Sequence, residues 1–340
     1  MVGVRKRGEE IRQFIWDSVE NHPVDLAKFV SEAFNISRQA VNRHIRQLIE
    51  KGILGIKGST RNPHYYRLVL GKNYSLDGTL KEDRVWRADI APLLADLPNN
   101  VIDLWHYGFT EIFNNAIEHS GGNSVRITLK RTASELSISI EDNGVGIFKK
   151  IKNTLNLFDE RESVLELAKG KLTTDPSNHS GEGIFFTSRV FDKFLILSGG
   201  MIFSHDYGDG RDWIVEKDEQ TPGTLVILKL NLQAKQTLKS VFDQFTTGED
   251  FAFSKTVVPV ALARYGEETL MSRSQAKRVV TRIEKFKTVM FDFTGIETIG
   301  QAFADEIFRV FANSHPEIEL YPINANPDVQ AMINRALAVR

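Results

Sequence analysis

A predicted helix near residue 110 directs several polar side chains toward one place. The segment GFTEIFNNAIEHS, residues 108–120, lies in a helical pattern that runs from about residue 100 to 119. Glu111, Asn115 and His119 recur at four-residue steps, so they share one face, while apolar residues occupy another. Asparagine is a poor helix former, and its presence at the centre of this helix indicates a function beyond folding.

A carboxylate closes a predicted strand a short distance further along the chain. In the strand 135–142 the apolar side chains alternate, and Asp142 shares their face by parity. An inward carboxylate is costly unless a donor satisfies it. The glycines at Gly144 and Gly146 free the backbone directly behind it. We therefore expect a donor-bearing ligand beside Asp142.

Two later motifs add features suited to an anion and to a polar interior group. Gly181 and Gly183 open an amphipathic helix, where unpaired N–H groups can approach a phosphate. Thr224 follows Gly223 at the start of a strand and shares parity with its apolar residues, so its hydroxyl is expected to point inward.

Taken in order, these motifs resemble those of the GHKL ATPases, the Bergerat-fold superfamily of gyrase, sensor histidine kinases and MutL. The resemblance covers about residues 85–232 and rests on four elements: Glu111-x-x-x-Asn115-Ala116-x-x-His119, Asp142-x-Gly144-x-Gly146, Gly181-x-Gly183 and Gly223-Thr224. It implies an α/β sandwich with a mixed, mainly antiparallel sheet and helices on one face. It also implies that ATP and Mg²⁺ are the ligands.

The resemblance assigns a role to each motif residue. It implies that Asn115 ligates the Mg²⁺ that bridges the triphosphate, that Asp142 accepts from the adenine amino group, and that Thr224 supports this contact. The cofactor-binding glycines that it implies are Gly144, Gly146, Gly181 and Gly183.

For the hydrolysing members, the resemblance also implies that Glu111 is a general base. The alternative from the residues alone is that Glu111 and His119 form an ordinary pair on the helix surface. Residues 149–180 are expected to be a lid over the nucleotide, with Lys169 and Lys171 in it and Lys171 a candidate phosphate contact.

The first seventy residues resemble a winged helix-turn-helix. Helical patterns at 9–20, 24–34 and 37–51 precede two β-prone runs that flank a turn at 58–63. The resemblance implies that the third helix enters the major groove and that the turn lies over phosphates. The candidate DNA-binding residues are Arg38, Gln39, Asn42, Arg43 and Arg46. The alternatives are solvated arginines or a protein-binding winged helix.

The charge distribution favours a polyanion at this end of the chain. Residues 1–72 hold 13 Lys and Arg against 7 Asp and Glu, although the whole chain holds 43 against 44.

The absence of cysteine excludes disulfides, thiolate nucleophiles and cysteine-ligated zinc. No apolar run approaches the ~20 residues that span a bilayer, and the N-terminus lacks a signal-peptide core. We expect a cytoplasmic protein with no membrane partner.

The C-terminal third alternates strands and helices after an amphipathic helix and a glycine-containing turn at 233–250. Strands are expected at 256–263, 288–293 and 317–322, with helices at 272–285, 301–313 and 328–339. Residues 290–308 resemble STAS domains, the fold of anti-sigma-factor antagonists. Their phosphoacceptor serine is replaced here by Gly300-Gln301-Ala302, so phosphorylation in cis is not expected, whereas a protein partner of this domain is.

These observations predict an α+β multidomain protein with boundaries at 1–72, 73–232 and 233–340. The favoured function is a nucleotide-controlled, DNA-binding transcriptional regulator with slow ATP hydrolysis. One alternative is a GHKL protein kinase that acts on a separate partner, as anti-sigma kinases do. The other is a non-catalytic scaffold with bound ATP. The sequence leaves open whether the chain forms a homodimer.

Overall fold

The computed structural model describes residues 2–59, 62–172, 181–208, 210–247, 252–266 and 268–338. They form an N-terminal helical unit, a middle unit of helices on a sheet, and a small C-terminal α/β unit. This is the multidomain α+β arrangement that the sequence predicts.

The N-terminal unit has a hydrophobic core of its own. Its elements are α1 (Val2–Ser18), α2 (Leu26–Phe34), α3 (Arg38–Glu50), β1 (Leu54–Gly58) and β2 (Pro63–Arg67). Ser37 caps α3, because its hydroxyl oxygen accepts a hydrogen bond from the Ala40 N–H at 3.2 Å. The buried face of α3 carries Val41, Ile45 and Leu48. β1 and β2 pair as an antiparallel hairpin.

The middle unit is built on an antiparallel sheet. Its strands are β3 (Val69–Ser75), β4 (Ser124–Arg131), β5 (Glu135–Asp142), β6 (Lys193–Asp206) and β7 (Arg211–Asn231), in the order β3-β4-β5-β7-β6. In β5, Leu136, Ile138 and Ile140 are buried, whereas the residues between them are only half-buried. The sheet therefore has one apolar face.

Helices pack on that apolar face. They are α4 (Glu82–Val85), a π-helical turn (Trp86–Ile90) and α5 (Ala91–Leu94), which run on continuously, then α6 (Asn99–His119), α7 (Ile147–Leu155), α8 (Glu160–Lys169) and α9 (Gly183–Val190). α6 lies against β5 and α9, while α7, α8 and α9 contact β6. The long α6 thus passes over the centre of the sheet.

Two strand predictions differ from the structure. The sequence alone predicts separate strands at about 193–198, 201–206 and 211–216, before a strand opened by Gly223-Thr224. Instead, β6 and β7 are each continuous, and the register shifts between Ser198 and Met201. The glycines Gly199 and Gly200 produce an irregularity in the ladder and not a chain reversal, because pairing with β7 resumes beyond them.

The N-terminal unit is joined to the middle sheet almost without a linker. Only Leu68 separates β2 from β3, and β3 pairs with β4 from Val69↔Lys130 to Ser75↔Ser124. The predicted boundary between residues 72 and 73 therefore falls inside β3. The unit also contacts the middle domain through Gln13, whose side-chain oxygen accepts from the Ser134 hydroxyl at 3.2 Å.

The C-terminal unit is a parallel sheet in the order β10-β11-β12, preceded by a short hairpin. Its elements are α10 (Leu238–Phe242), β8 (Thr246–Thr247), β9 (Ala252–Phe253), β10 (Lys255–Pro259), a 3-10 turn (Val260–Ala263), α11 (Arg273–Val280), a 3-10 turn (Ile283–Lys285), β11 (Thr288–Asp292), α12 (Gln301–Asp305), a π-helical segment (Glu306–Phe311), α13 (Ala312–Ser314), β12 (Glu319–Ile323) and α14 (Pro327–Ala338). The predicted β-α-β-α-β-α alternation is confirmed. The expected glycine turn at Gly248 lies outside the described residues.

The middle and C-terminal units share one hydrophobic core. A single cluster of buried residues extends from Val85 to Ala336, separate from the core of the N-terminal unit. Phe253 links the two sides, because its ring lies 4.7 Å from that of Phe185 and 5.2 Å from that of Phe286, measured between centroids. The two units therefore form one packed body.

Candidate functional site

A cleft of 320 Å³ opens between α6, the glycine segment after β5 and the start of α9. This volume falls at the lower end of the range of small-molecule sites. The residues predicted from sequence that line it are Glu111, Asn115, His119, Asp142, Gly146, Gly181, Gly183 and Thr224. The structure thus gathers residues from four separate motifs around one space.

Asp142 is a buried acceptor at the base of this cleft. It is 6% exposed, and one carboxylate oxygen accepts the Gly144 N–H at 2.8 Å. Burial raises the pKa of Asp142, although hydrogen bonds from Gly144 and Thr224 oppose this shift. The carboxylate keeps acceptor capacity for a further donor.

Thr224 lies directly opposite Asp142 on the neighbouring strand. The antiparallel register of β5 and β7 pairs the two residues, so both side chains emerge on the same face. The Thr224 hydroxyl oxygen accepts the Ile147 N–H at 3.0 Å, which fixes the loop that precedes α7. Parity along each strand predicted this inward placement from the sequence.

The position before Thr224 in β7 requires glycine. Gly223 has φ +68°, and a Cβ there would collide with the backbone carbonyl of Asp142. Gly144 behaves differently from the other predicted glycines, because it does not line the cleft. It packs against the Ser120 backbone and donates to Asp142, so it shapes the acceptor instead.

Glu111 and the start of α9 meet in the same cleft. A Cβ on Gly183 would collide with the Glu111 carboxylate in its present position, so a larger residue would require that side chain to move. The first N–H groups of α9 have no partner within the helix, a feature that favours anions. The carbonyl of Gly181 accepts the Leu172 N–H at 3.0 Å.

Lys150 is a cleft residue that the sequence interpretation missed. It lies on α7, lines the cleft, and donates from Nζ to the His119 carbonyl oxygen at 2.8 Å. Burial lowers its pKa. The available signal was its position four residues after Gly146, on the first turn of the helix that the glycine motif leads into.

The two lysines expected in the lid do not line the cleft. Lys169 is buried and donates to Glu166 and to backbone carbonyl oxygens of Arg278 and Thr281. Lys171 donates to the carbonyl oxygen of Lys285 at 3.0 Å. Both side chains therefore contact the C-terminal unit, and a phosphate contact by Lys171 stays a prediction. Residues 173–180 of the expected lid lie outside the described part of the chain.

The second candidate site is the outer face of α3. The predicted DNA-binding side chains are all exposed there: Arg38, Gln39, Asn42, Arg43 and Arg46. They lie opposite the buried residues that attach α3 to the N-terminal core. Residues 60 and 61 of the hairpin tip, including the basic Arg61, lie outside the described residues.

Comparison with known protein families agrees with this geometry. Residues 100–234 match the family of histidine kinase-, DNA gyrase B- and HSP90-like ATPases, and residues 275–330 match a STAS-like domain of unknown function, DUF4325. No curated protein matches the chain. Among the helices in the described residues, none has both the length and the apolar character needed to cross a membrane. The chain therefore carries an ATP-binding domain of the GHKL family followed by a STAS-like domain.

Proposed function

We propose that this protein is a nucleotide-controlled, DNA-binding regulator of transcription that binds ATP with Mg²⁺ and hydrolyses it slowly. One observation carries the nucleotide part of this proposal. Asp142 at the end of β5 lines a single cleft together with Asn115 and Glu111 of α6.

The cleft offers matching contacts along the length of ATP. Asp142, supported by Thr224, accepts from the adenine amino group. The N–H groups at Gly181 and Gly183 contact phosphates, and Gly144 and Gly146 shape the loop beside the purine. The residues also fit Mg²⁺, because the Asn115 amide oxygen is a hard, neutral ligand and phosphate oxygens and water complete such sites.

Glu111 is the group that we assign to the hydrolytic step. Its carboxylate lies against Gly183 at the start of α9, in the same cleft that Asp142 and Thr224 line. A carboxylate at this position would orient a water molecule and accept its proton as the water attacks the γ-phosphorus, and the bond from that phosphorus to the bridging oxygen would break to release ADP and inorganic phosphate. Slow turnover is consistent with a regulatory use of the nucleotide.

The DNA part of the proposal rests on α3. Its arginines are exposed, it is attached to a separately cored unit, and the residues around it carry excess positive charge. Such a helix fits the major groove of double-stranded DNA. The STAS-like domain supplies a further surface for a protein partner, and a homodimer is compatible with the proposal.

The experiment that tests both ends of the molecule is capture of genomic DNA fragments with ATP and Mg²⁺, with ADP, and without nucleotide. We expect enrichment of a defined set of fragments that changes between the ATP and nucleotide-free states. No enrichment in any state would reject the DNA-binding role. Transfer of labelled phosphate from ATP to a co-purified protein would favour the kinase alternative, and binding without turnover or transfer would favour the scaffold.

A further inference from the structure

The end of α8 is joined to the STAS-like domain by a buried lysine. The Lys169 side chain is 2% exposed, and its Nζ lies 2.7 Å from Glu166 Oε1. It also donates to the carbonyl oxygens of Arg278 at 2.8 Å and Thr281 at 2.9 Å. An ammonium group has three donors, so all three are used.

These acceptors belong to one structural feature of the STAS-like domain. Arg278 is in the last turn of α11, and Thr281 is the residue that ends this helix. The carbonyl groups at a helix C-terminus lack partners within the helix and attract cations. Lys169 therefore caps a helix that is more than one hundred residues away in the chain, and Glu166 receives a second cation, Arg282, at 3.5 Å.

The same segment leads directly to the phosphate end of the cleft. The Lys169 carbonyl accepts the Thr256 hydroxyl at 2.6 Å, so backbone and side chain are both held by the STAS-like domain. Three residues later, Leu172 lines the cleft and its N–H donates to the Gly181 carbonyl at 3.0 Å. A continuous path thus connects α11 to the glycine pair.

Burial of the Lys169 and Glu166 charges carries a large desolvation penalty, so this contact is not incidental. Removing one partner from a buried, hydrogen-bonded ion pair leaves an uncompensated charge, and replacing both by apolar groups often does not destabilise the fold. A buried pair of this kind is therefore better explained by the geometry that it fixes than by the stability that it contributes.

We propose that Lys169 and Glu166 are positioning residues through which the STAS-like domain holds the Gly181–Gly183 segment in its phosphate-binding position. The affinity of the cleft for the phosphates of the nucleotide is then set by the STAS-like domain, and a partner that moves α11 changes it. This inference rests on the proposed binding of ATP in the cleft.

The test compares ATP with adenosine, which lacks the phosphates. Lys169→Met is expected to raise the Kd for ATP with Mg²⁺ on the order of threefold to thirtyfold, the usual range for residues that couple two sites. The Kd for adenosine, measured by ligand-observed NMR, is expected to remain unchanged because Asp142 and Thr224 are untouched. Lys277→Met on α11 is the matched control, since the Lys277 side chain is 68% exposed.

A double variant separates positioning from stability. Glu166→Gln with Lys169→Met removes both charges of the pair, so the midpoint of thermal unfolding is expected to recover in part, with Arg282 still lacking its carboxylate, while ATP affinity stays reduced. Amide hydrogen exchange at residues 170–172 should be faster in both variants than in the original protein.

Three results would overturn the inference. They are an unchanged Kd for ATP in Lys169→Met, an equal loss of ATP and adenosine binding, and recovery of ATP affinity in the double variant. Failure of the original protein to bind ATP would be a different outcome, since it would reject the proposed function itself and the inference with it.

Discussion

At the scale of single residues, replacement of Glu111 distinguishes an effect on ATP hydrolysis from an effect on ATP binding. Glu111→Gln keeps the size of the side chain and removes the base, so we expect hydrolysis to fall by about 10²–10⁴-fold with little change in the Kd for ATP. Phosphate release and equilibrium binding measure the two effects. Glu118→Gln, on the same helix but exposed, should retain full activity. Equal rates of ATP hydrolysis in the Glu111→Gln and Glu118→Gln variants would show that Glu111 is not the general base.

Asp142 is expected to control recognition of the base. Asp142→Asn presents a donor where the adenine amino group needs an acceptor. The loss of a hydrogen bond to a charged group costs about 1.5–3 kcal/mol, or roughly tenfold to a hundredfold in Kd. Calorimetric titration with ATP measures this change. Glu141→Gln is the control, because Glu141 is exposed and points away from the cleft. Unaltered ATP affinity in Asp142→Asn would contradict the assignment.

A buried polar group away from the cleft predicts a pH dependence of stability. His205 Nδ1 lies 2.9 Å from Asp212, which also pairs with Arg189. Burial and the charge of Arg189 lower the pKa of His205 below its ordinary 6.5, although Asp212 opposes this shift. The unfolded chain therefore takes up a proton on this residue at higher pH than the folded protein does, and stability falls as the pH drops through 6.5.

The prediction is that His205→Gln reduces the decrease in unfolding midpoint between pH 7.5 and 5.5. The pKa of His44 is lowered in the same direction by burial and by Arg12 and Arg43, so part of the decrease should remain. Thermal unfolding monitored by circular dichroism at both pH values measures the difference. A decrease of the same size in the variant and the original protein would contradict the prediction.

At the scale of elements, α3 carries the prediction for DNA. Replacement of Arg38 and Arg43 by alanine should weaken binding and lower the slope of log affinity against log salt by about one for each lost phosphate contact. Titrations of labelled fragments at several salt concentrations give this slope. Lys235→Ala removes an exposed charge outside the N-terminal unit and should not change it. An unchanged slope in the arginine variant would point to a protein partner for this helix.

The elements also show what could be predicted from sequence. Asp142 and Thr224 were placed correctly because the parity of a strand is a local property of the chain. Glu111 and Asn115 were grouped correctly because helical spacing is local as well. The roles of Lys169 and Lys150 depend on partners far away in sequence, such as Thr281, which no local pattern indicates. Glycines in β6 were likewise ambiguous, because a bulge and a turn use the same residue type.

At the scale of the whole molecule, the shared core predicts unequal effects of truncation. A chain that starts at Val69 retains β3 and the complete core of the middle and C-terminal units, so ATP binding should persist. A chain that ends at Leu232 exposes the aromatic surface around Phe185, so it should aggregate or bind hydrophobic dyes. Light scattering and nucleotide titration distinguish these outcomes. A monomeric, ATP-binding product of the second truncation would show that the units are independent.

Leu68 limits the motion of the N-terminal unit relative to the middle sheet. Only one residue lies between the hairpin and β3, so the N-terminal unit cannot reorient independently of the sheet. Independent reorientation would require a flexible linker of many residues. Any twist of the nucleotide-binding sheet at its outer strand must therefore turn α3 as well. The N-terminal unit and the sheet are therefore expected to rotate together, so that a small rotation of β3 would produce a larger displacement of α3 on bound DNA.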